Sequence, residues 1–521
     1  MTRISSKKQL KAPWLDYYGG RKTTLKYPDT SMYQLLKQRA AKYANKVAYN
    51  YFGTTVTFGQ FMTKIDNTAK ALVQFGVKRG DIVTIISANI PEAVAVIYAA
   101  NKVGAVANVV HPLSSENDIK HALNLTKSKL LFVIDVAHKT TANVLLDTGV
   151  KDIVVLSPKH SLPGLTRLGY ELTQGAKVGR IRRAPRLYTW PEFISKARRA
   201  PRVNAAKTTG DDPAVVLYSG GTTGKPKGIL VTNMAFNAHA IQCPEFAPEI
   251  RPGKSVLGIL PIFHGFGLSF GFHVGLCNGV TNIMLPKFDA KGFHKTLRRY
   301  KPTIVLGVPT LFEAMLHDKK IRNMDLSFLE LLICGGDILQ NNLKASCDEA
   351  FAKAGCKAEV LRGYGLTEYL AGAVFTPRER AKHGCVGIPL ADVYVKIVDP
   401  NTDKEKPLGE IGEIVIHGPS MMTRYLNEDD ETSRTVVAHS DGHNWLHTGD
   451  LGYMDEDGYL FFEQRLKRLI ISSGYNVYPN HIEEVIGCLD EVRAVTVVGM
   501  PDGHRGQVAK AFVVLNDTTQ A

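Results

Sequence analysis

In AVVLYSGGTTGKPKG, residues Ala214 to Gly228, an apolar strand pattern runs straight into a loop of Ser219, Gly220, Gly221, Thr222, Thr223, Gly224, Lys225, Pro226, Lys227 and Gly228. Small residues let backbone N–H groups approach an anion, hydroxyls add donors and lysines add charge, so the loop reads as a phosphate grip. It is not a Walker A loop, because Pro226 occupies the place of the Ser or Thr that would hold magnesium.

Upstream, apolar strands alternate with helical patterns. DIVTIISAN is followed by IPEAVAVIYAANKVGA, and KLLFVID by VAHKTTANVLLDTG and then KDIVVLS. This rhythm predicts α/β architecture with largely parallel sheets. Downstream of Val386 the units become short and β-rich, as in DVYVKIVD and GEIGEIVIHG, which predicts a smaller sheet region. The longest apolar stretch, Ala93 to Val110, is broken by Asn101, Lys102 and Asn108 and reads as a buried helix and strand, not a bilayer span.

The 521 residues, 44% hydrophobic and 22% charged, exclude collagen, coiled coil and wholesale disorder, and fit one or two globular domains. Seven scattered cysteines without a C-x-x-C pair suit a reducing compartment, and Met1 to Tyr17 lacks the apolar core of an export signal. A cytoplasmic location is expected. The net charge of +15 is concentrated between residues 158 and 207, where twelve Lys and Arg face only Glu171 and Glu192 and so supply ten of the fifteen charges. Leu162, Leu165, Leu168, Tyr188, Trp190 and Phe193 interleave with these cations, so the basic insertion reads either as a solvated surface or as a peripheral patch for an anionic membrane. No nucleic-acid recognition module accompanies it.

The loop resembles the signature of the ANL superfamily of adenylate-forming enzymes, which includes acyl-CoA synthetases, adenylation domains and beetle luciferases. Further motifs stand in the family's order across the chain: VTFGQF at Val56, PIFHGFG at Pro261, GYGLTE at Gly363, GEIGEIVIHGPSMMTRYLN at Gly409, WLHTGDLGYMDEDGYLFF at Trp445, RLKRLIISSGYNVYP at Arg465 and IEEVI at Ile482. The resemblance implies a large AMP-binding domain over residues 1–464, with α/β sheets and a β-rich subdomain. A hinge at 465–467 and a small α+β C-terminal domain over 468–521 would follow.

By this resemblance the enzyme attacks the α-phosphate of ATP with a carboxylate, releases pyrophosphate, and passes the acyl group to CoA. Thr222, Thr223 and Lys227, with Ser219, Gly220, Gly221 and Gly224, would hold the phosphates, and Glu368 would help hold Mg²⁺. Gly363, Tyr364 and Gly365 would line the adenine, Tyr364 offering its ring face, while Thr367 would donate to the α-phosphate. Asp450 would accept from both ribose hydroxyls, with Arg465 joining the ribose and phosphate contacts. His264 would lie beside the acyl group, Gly335, Gly336 and Asp337 would line the adenine and acyl pocket, and Lys467 would mark the pivot on which the small domain swings.

The sequence departs from the family at Asp337, where alanine is commoner, at Gln464, which replaces Gly or Asp, and at His481, which replaces an acid. It also stops at Ala521, before the family's late lysine motif, and Lys510 reads as a strand residue, not that lysine. The small domain is therefore expected to be cut short, by a shorter gene or by omission of the natural end, and these 521 residues to adenylate poorly. KAPWLDYYGGRKTTLKYPDTSMYQLL, from Lys11, resembles the N-terminal arm of bacterial fatty acyl-CoA synthetases, which favours a medium- or long-chain fatty acid. An aryl acid is the alternative within the class. Outside it stand a noncatalytic lipid- or nucleotide-binding protein and a serine hydrolase using Ser269 of Gly267–Gly271, which fits G-x-S-x-G.

Overall fold

The structure, a computed structural model, describes residues 10–178, 184–219, 226–473, 475–489 and 491–516. Two large sheets carry the α/β rhythm. In the nine-stranded sheet, strands Val47–Tyr51, Thr281–Met284, Ser255–Gly258, Ile304–Gly307, Leu331–Cys334 and Val360–Gly365 run parallel, with antiparallel strands at both edges. The eight-stranded sheet is parallel from Pro213–Ser219 outward to Leu187–Thr189, and antiparallel where Pro213–Ser219 meets Lys227–Thr232. Helix Pro91–Val103 is buried along its whole length and leads through Gly104, in the left-handed region, into strand Val106–Val110, so the apolar stretch at 93–110 is core as expected. VTFGQF begins helix Phe58–Gln74 with a reciprocal cap: the Thr57 side chain accepts from the Gln60 N–H, and the Gln60 side chain accepts from the Thr57 N–H.

The β-rich region is a five-stranded antiparallel sheet in which Gly412–His417 and Asn444–Met454 are central, and Leu460–Arg465 ends it. Beyond Arg465, helix Pro479–Gly487 packs with a four-stranded sheet built on Val492–Asp502 and Gly506–Leu515.

Two expectations are corrected. The segment after Asp135 does not form one helix but two 3₁₀ turns around a short helix, His138–Ala142. The Thr141 hydroxyl bonds back to the Ala137 carbonyl at 2.8 Å, one of the local bonds that disfavour helix interiors. Nor is the basic insertion a loose appendage. Leu187–Thr189 adds a strand to the eight-stranded sheet, Trp190 and Phe193 are buried, and the Phe193 ring lies 5.1 Å from Phe75 and 5.0 Å from Phe132. Tyr188 packs 4.9 Å from Phe75. These aromatics are core, because burying a large ring gains more than leaving it beside cations at the surface. The leucines of helix Gly164–Leu172 do face solvent, with Leu165, Leu168 and Leu172 being 89%, 54% and 71% exposed.

Candidate functional site

The phosphate loop is the connection of a hairpin. Ser219 ends one strand, Lys227 begins the next, and the two are register partners. Gly220, Gly221, Thr222, Thr223 and Gly224 lie outside the described residues. Lys227 projects from the hairpin base, ion-paired with Glu431 of helix Asp429–Thr435 and 5.1 Å from the centre of the Tyr425 ring. The Tyr425 hydroxyl in turn donates to Glu368 at 2.9 Å. Two motifs some 140 residues apart in sequence thus meet at one spot through Tyr425. Burial, then the Glu368 charge, raises the tyrosine pKa and keeps this donor protonated. The Lys227 ammonium holds the Glu431 carboxyl below the usual range.

GYGLTE ends strand Val360–Gly365 and enters a 3₁₀ turn, Thr367–Tyr369, so Thr367 and Glu368 stand at the carboxyl end of a parallel strand. This is where ligands bind in open α/β sheets. Gly365 is obligatory, since a Cβ there would lie 1.6 Å from the Ala371 carbonyl oxygen. Gly265 is equally constrained, because its Cβ would lie 1.5 Å from the carbonyl oxygen of Leu370, whose own φ is +63°. PIFHGFG therefore locks by backbone contact onto the turn at Leu370 that follows GYGLTE. His264 reaches solvent but is hemmed in by protein, and desolvation followed by the nearby His111 holds its pKa below the ordinary value. A neutral His264 results at pH 7.

Gly335 and Gly336 follow strand Leu331–Cys334, and a Cβ at Gly335 would lie 3.2 Å from the Gly363 carbonyl oxygen and 3.6 Å from the Phe266 ring. Asp337 is exposed and accepts from the Ile338 N–H, closing its own turn. Buried Arg362, which the sequence did not single out, fixes the end of this segment by donating to the Leu339 carbonyl at 2.9 and 3.1 Å.

The ribose candidates are differently housed. Asp450 is 1% exposed in strand Asn444–Met454, and accepts the Tyr364 hydroxyl at 2.8 Å. Arg465, its cross-strand partner, is 3.1 Å away. Desolvation pushes the Asp450 carboxyl up to about 6 against the lowering effects of Arg465 and Tyr364. Tyr364 thus also positions Asp450, and its ring packs 5.8 Å from Phe462. Asp450 is a strand residue, not a turn residue.

Lys467 is exposed within the 3₁₀ turn Leu466–Arg468, and Lys510 lies in strand Gly506–Leu515 as expected. The hydrolase reading does not survive. Ser269 is fully buried in a π-helical segment, Phe266–Val274, with no strand running into it, and its hydroxyl sits 2.9 Å from His239 Nδ1. A nucleophile elbow needs an exposed serine on a strand-to-helix turn. Among the described residues no group of three or more His, Cys, Asp or Glu could hold a metal, and no helix is long and apolar enough to cross a membrane.

Residues 36–426 match the family model "AMP-binding enzyme", and residues 481–521 match "AMP-binding enzyme C-terminal domain". The chain is 30% identical to a long-chain-fatty-acid–CoA ligase of Bacillus subtilis, with 98% of this chain and 90% of that protein aligned. It is 31% identical to the enzyme of the same name from Salmonella typhimurium, again over 98% and 90%. Among solved structures, an anthranilate CoA ligase in complex with anthranoyl-AMP superposes with a TM-score of 0.80 at 23% identity, covering 95% of this chain and 88% of that one. Motif order, fold and family match agree: the chain belongs to the AMP-binding enzyme family, the ANL superfamily of adenylate-forming enzymes.

Proposed function

We infer that this chain activates a medium- or long-chain fatty acid with ATP and transfers the acyl group to CoA. The observation that carries the reading is an apolar cleft between the nine-stranded sheet, the π-helical segment and helix Asn233–Phe246. Cys243, Phe246, Ile250, Phe270, Val280 and Ile333 are among its walls, and every lining residue is apolar. Ile333 stands in the strand that leads into Gly335 and Gly336, so one wall of the cleft is continuous in sequence with the segment assigned to the adenine and acyl pocket. A wall without a polar group suits a hydrocarbon chain and offers nothing to orient a ring substituent.

In this reading Lys227 neutralises the leaving pyrophosphate, Thr367 donates to the α-phosphate, and Asp450 holds the ribose. Neutral His264 lies beside the acyl carboxylate without competing for its charge. Mg²⁺ is commonly held by one or two carboxylates together with substrate phosphates. Glu368, half-buried with a tyrosine hydroxyl on one oxygen, fits that donor set. The ion, when bound, supplies charge neutralisation on the phosphates.

Competition between palmitate, octanoate and cinnamate in acid-dependent pyrophosphate exchange tests the substrate class. Preference for the fatty acids is expected, and failure of both would overturn the reading. We also infer that Leu165, Leu168 and Leu172, spaced on one helical face within the basic insertion, dock on an anionic lipid surface. Flotation with phosphatidylserine vesicles should be lost in a Leu165→Ser/Leu172→Ser double variant. Retained flotation would remove the helix from the proposal.

A further inference from the structure

The ribose carboxylate sits on an irregular stretch of backbone. Strands Gly412–His417 and Asn444–Met454 change register between Glu413 and Val415, and Gly449 lies in the left-handed region with φ +67°. On that side the ladder leaves Thr448, Gly449 and Asp450 without register partners, although Asp450 still pairs with Arg465 on the other. A buried polar chain holds the unpaired side instead. Glu413, 3% exposed, accepts the Gly449 N–H on Oε1 at 3.0 Å, and the Asn401 N–H at 3.1 Å and His447 Nδ1 at 2.9 Å on Oε2. His447 Nε2 faces His439 Nε2 at 2.9 Å, with His439 5% exposed. Thr448 donates its hydroxyl to the Ile414 carbonyl at 2.6 Å and accepts the Asp450 N–H at 3.1 Å.

These contacts assign the tautomers. Glu413 is acceptor-only, so His447 carries its proton on Nδ1 and accepts on Nε2, and His439 must donate from Nε2. Each link fixes the orientation of the next, and the last holds the backbone N–H immediately before Asp450. We propose that Glu413, His447 and His439 form a positioning relay that aims the Asp450 carboxylate at both ribose hydroxyls. The proposal rests on the reading of Asp450 as the ribose ligand. Second-tier hydrogen bonds of this kind commonly set how sharply a site reads a hydroxyl, because a buried carboxylate left unpaired penalises the analogue that lacks it.

The test compares dissociation constants of MgATP and its 2′,3′-dideoxy analogue on the full chain, alongside melting temperatures. Wild type should prefer ATP on the order of 100-fold, and Asp450→Asn should shrink that ratio about tenfold or more. His447→Leu should follow Asp450→Asn, while His447→Asn, whose amide can replace Nδ1 as donor to Glu413, should stay within about threefold of wild type. A folded His447→Leu with the wild-type ratio, or a His447→Asn as damaged as His447→Leu, overturns the relay. An unchanged ratio in Asp450→Asn overturns the ribose reading and the relay with it. Should His447→Leu fail to fold, His439→Phe removes the more distant link; a ratio reduced about threefold supports the relay and an unchanged one overturns it.

Discussion

The phosphate and ribose halves of the site are built on opposite plans. Lys227 and Glu431 meet with side chains 31% and 36% exposed, whereas Asp450 is 1% exposed and lies beside a buried hydrogen-bonded chain. Half-exposed ion pairs are weak and readily exchanged, and buried networks are rigid. A grip that must take up a triphosphate and release pyrophosphate benefits from the first plan. A ribose contact kept while the acyl adenylate stays bound benefits from the second.

The sharpest way to break this contrast is Lys227→Met. Loss of a cation facing transition-state charge should lower pyrophosphate release on the order of 100-fold or more, and a rate within about threefold of wild type would remove Lys227 from the phosphate role. Asp450→Asn should weaken ATP binding by about 10- to 100-fold through lost charge-assisted hydrogen bonds, yet stabilise the fold. The folded pKa of about 6 lies above the unfolded 3.8, so this group's contribution to stability is full below pH 3.8 and is lost as pH rises through 6. The variant should therefore be more stable than wild type by about 3 kcal/mol at pH 8 and by roughly half that at pH 5, as denaturant titrations at the two pH values would show. An equal gap at both would mean that the buried charge is not the cause.

Val280→Trp lies in neither half. Val280 is fully buried in the wall of the cleft, and the larger ring there should cut kcat/KM for palmitate about tenfold while sparing octanoate. The smallest effect belongs to Glu431→Gln, because a half-exposed pair is worth up to about 1 kcal/mol, so KM for ATP should move less than about fivefold. A larger change would place the Lys227–Glu431 pair with the buried half.

What the sequence disclosed follows the same divide. The strand-and-helix rhythm and the strand that runs into the phosphate loop are legible because each lies in a contiguous motif or an uninterrupted apolar period, whereas the hairpin pairing of Ser219 with Lys227 is not, and Glu368 joins the phosphate side only through the family resemblance. Tyr425 lay inside a quoted motif, but nothing local marks it as a bridge between Lys227 and Glu368. Glu413, His447 and His439 are brought together by strand pairing and a register shift, which leave no signal at fixed spacing. Trp190 and Phe193 were misread for a related reason: a composition count sees cations and aromatics side by side but not the sheet edge that buries the rings.

The backbone lock between Gly265 and Leu370 shapes how such a chain can diverge. Any side chain at Gly265 would push into the Leu370 carbonyl, so selection for a new acid cannot act by re-routing these two loops. Variation is channelled into the walls farther along, at Cys243, Phe246, Ile250 and Val280, where one side chain can be exchanged for another with the loops in place. Changes of preference should therefore accumulate as changes in the volume of the cleft, while the geometry of activation stays fixed.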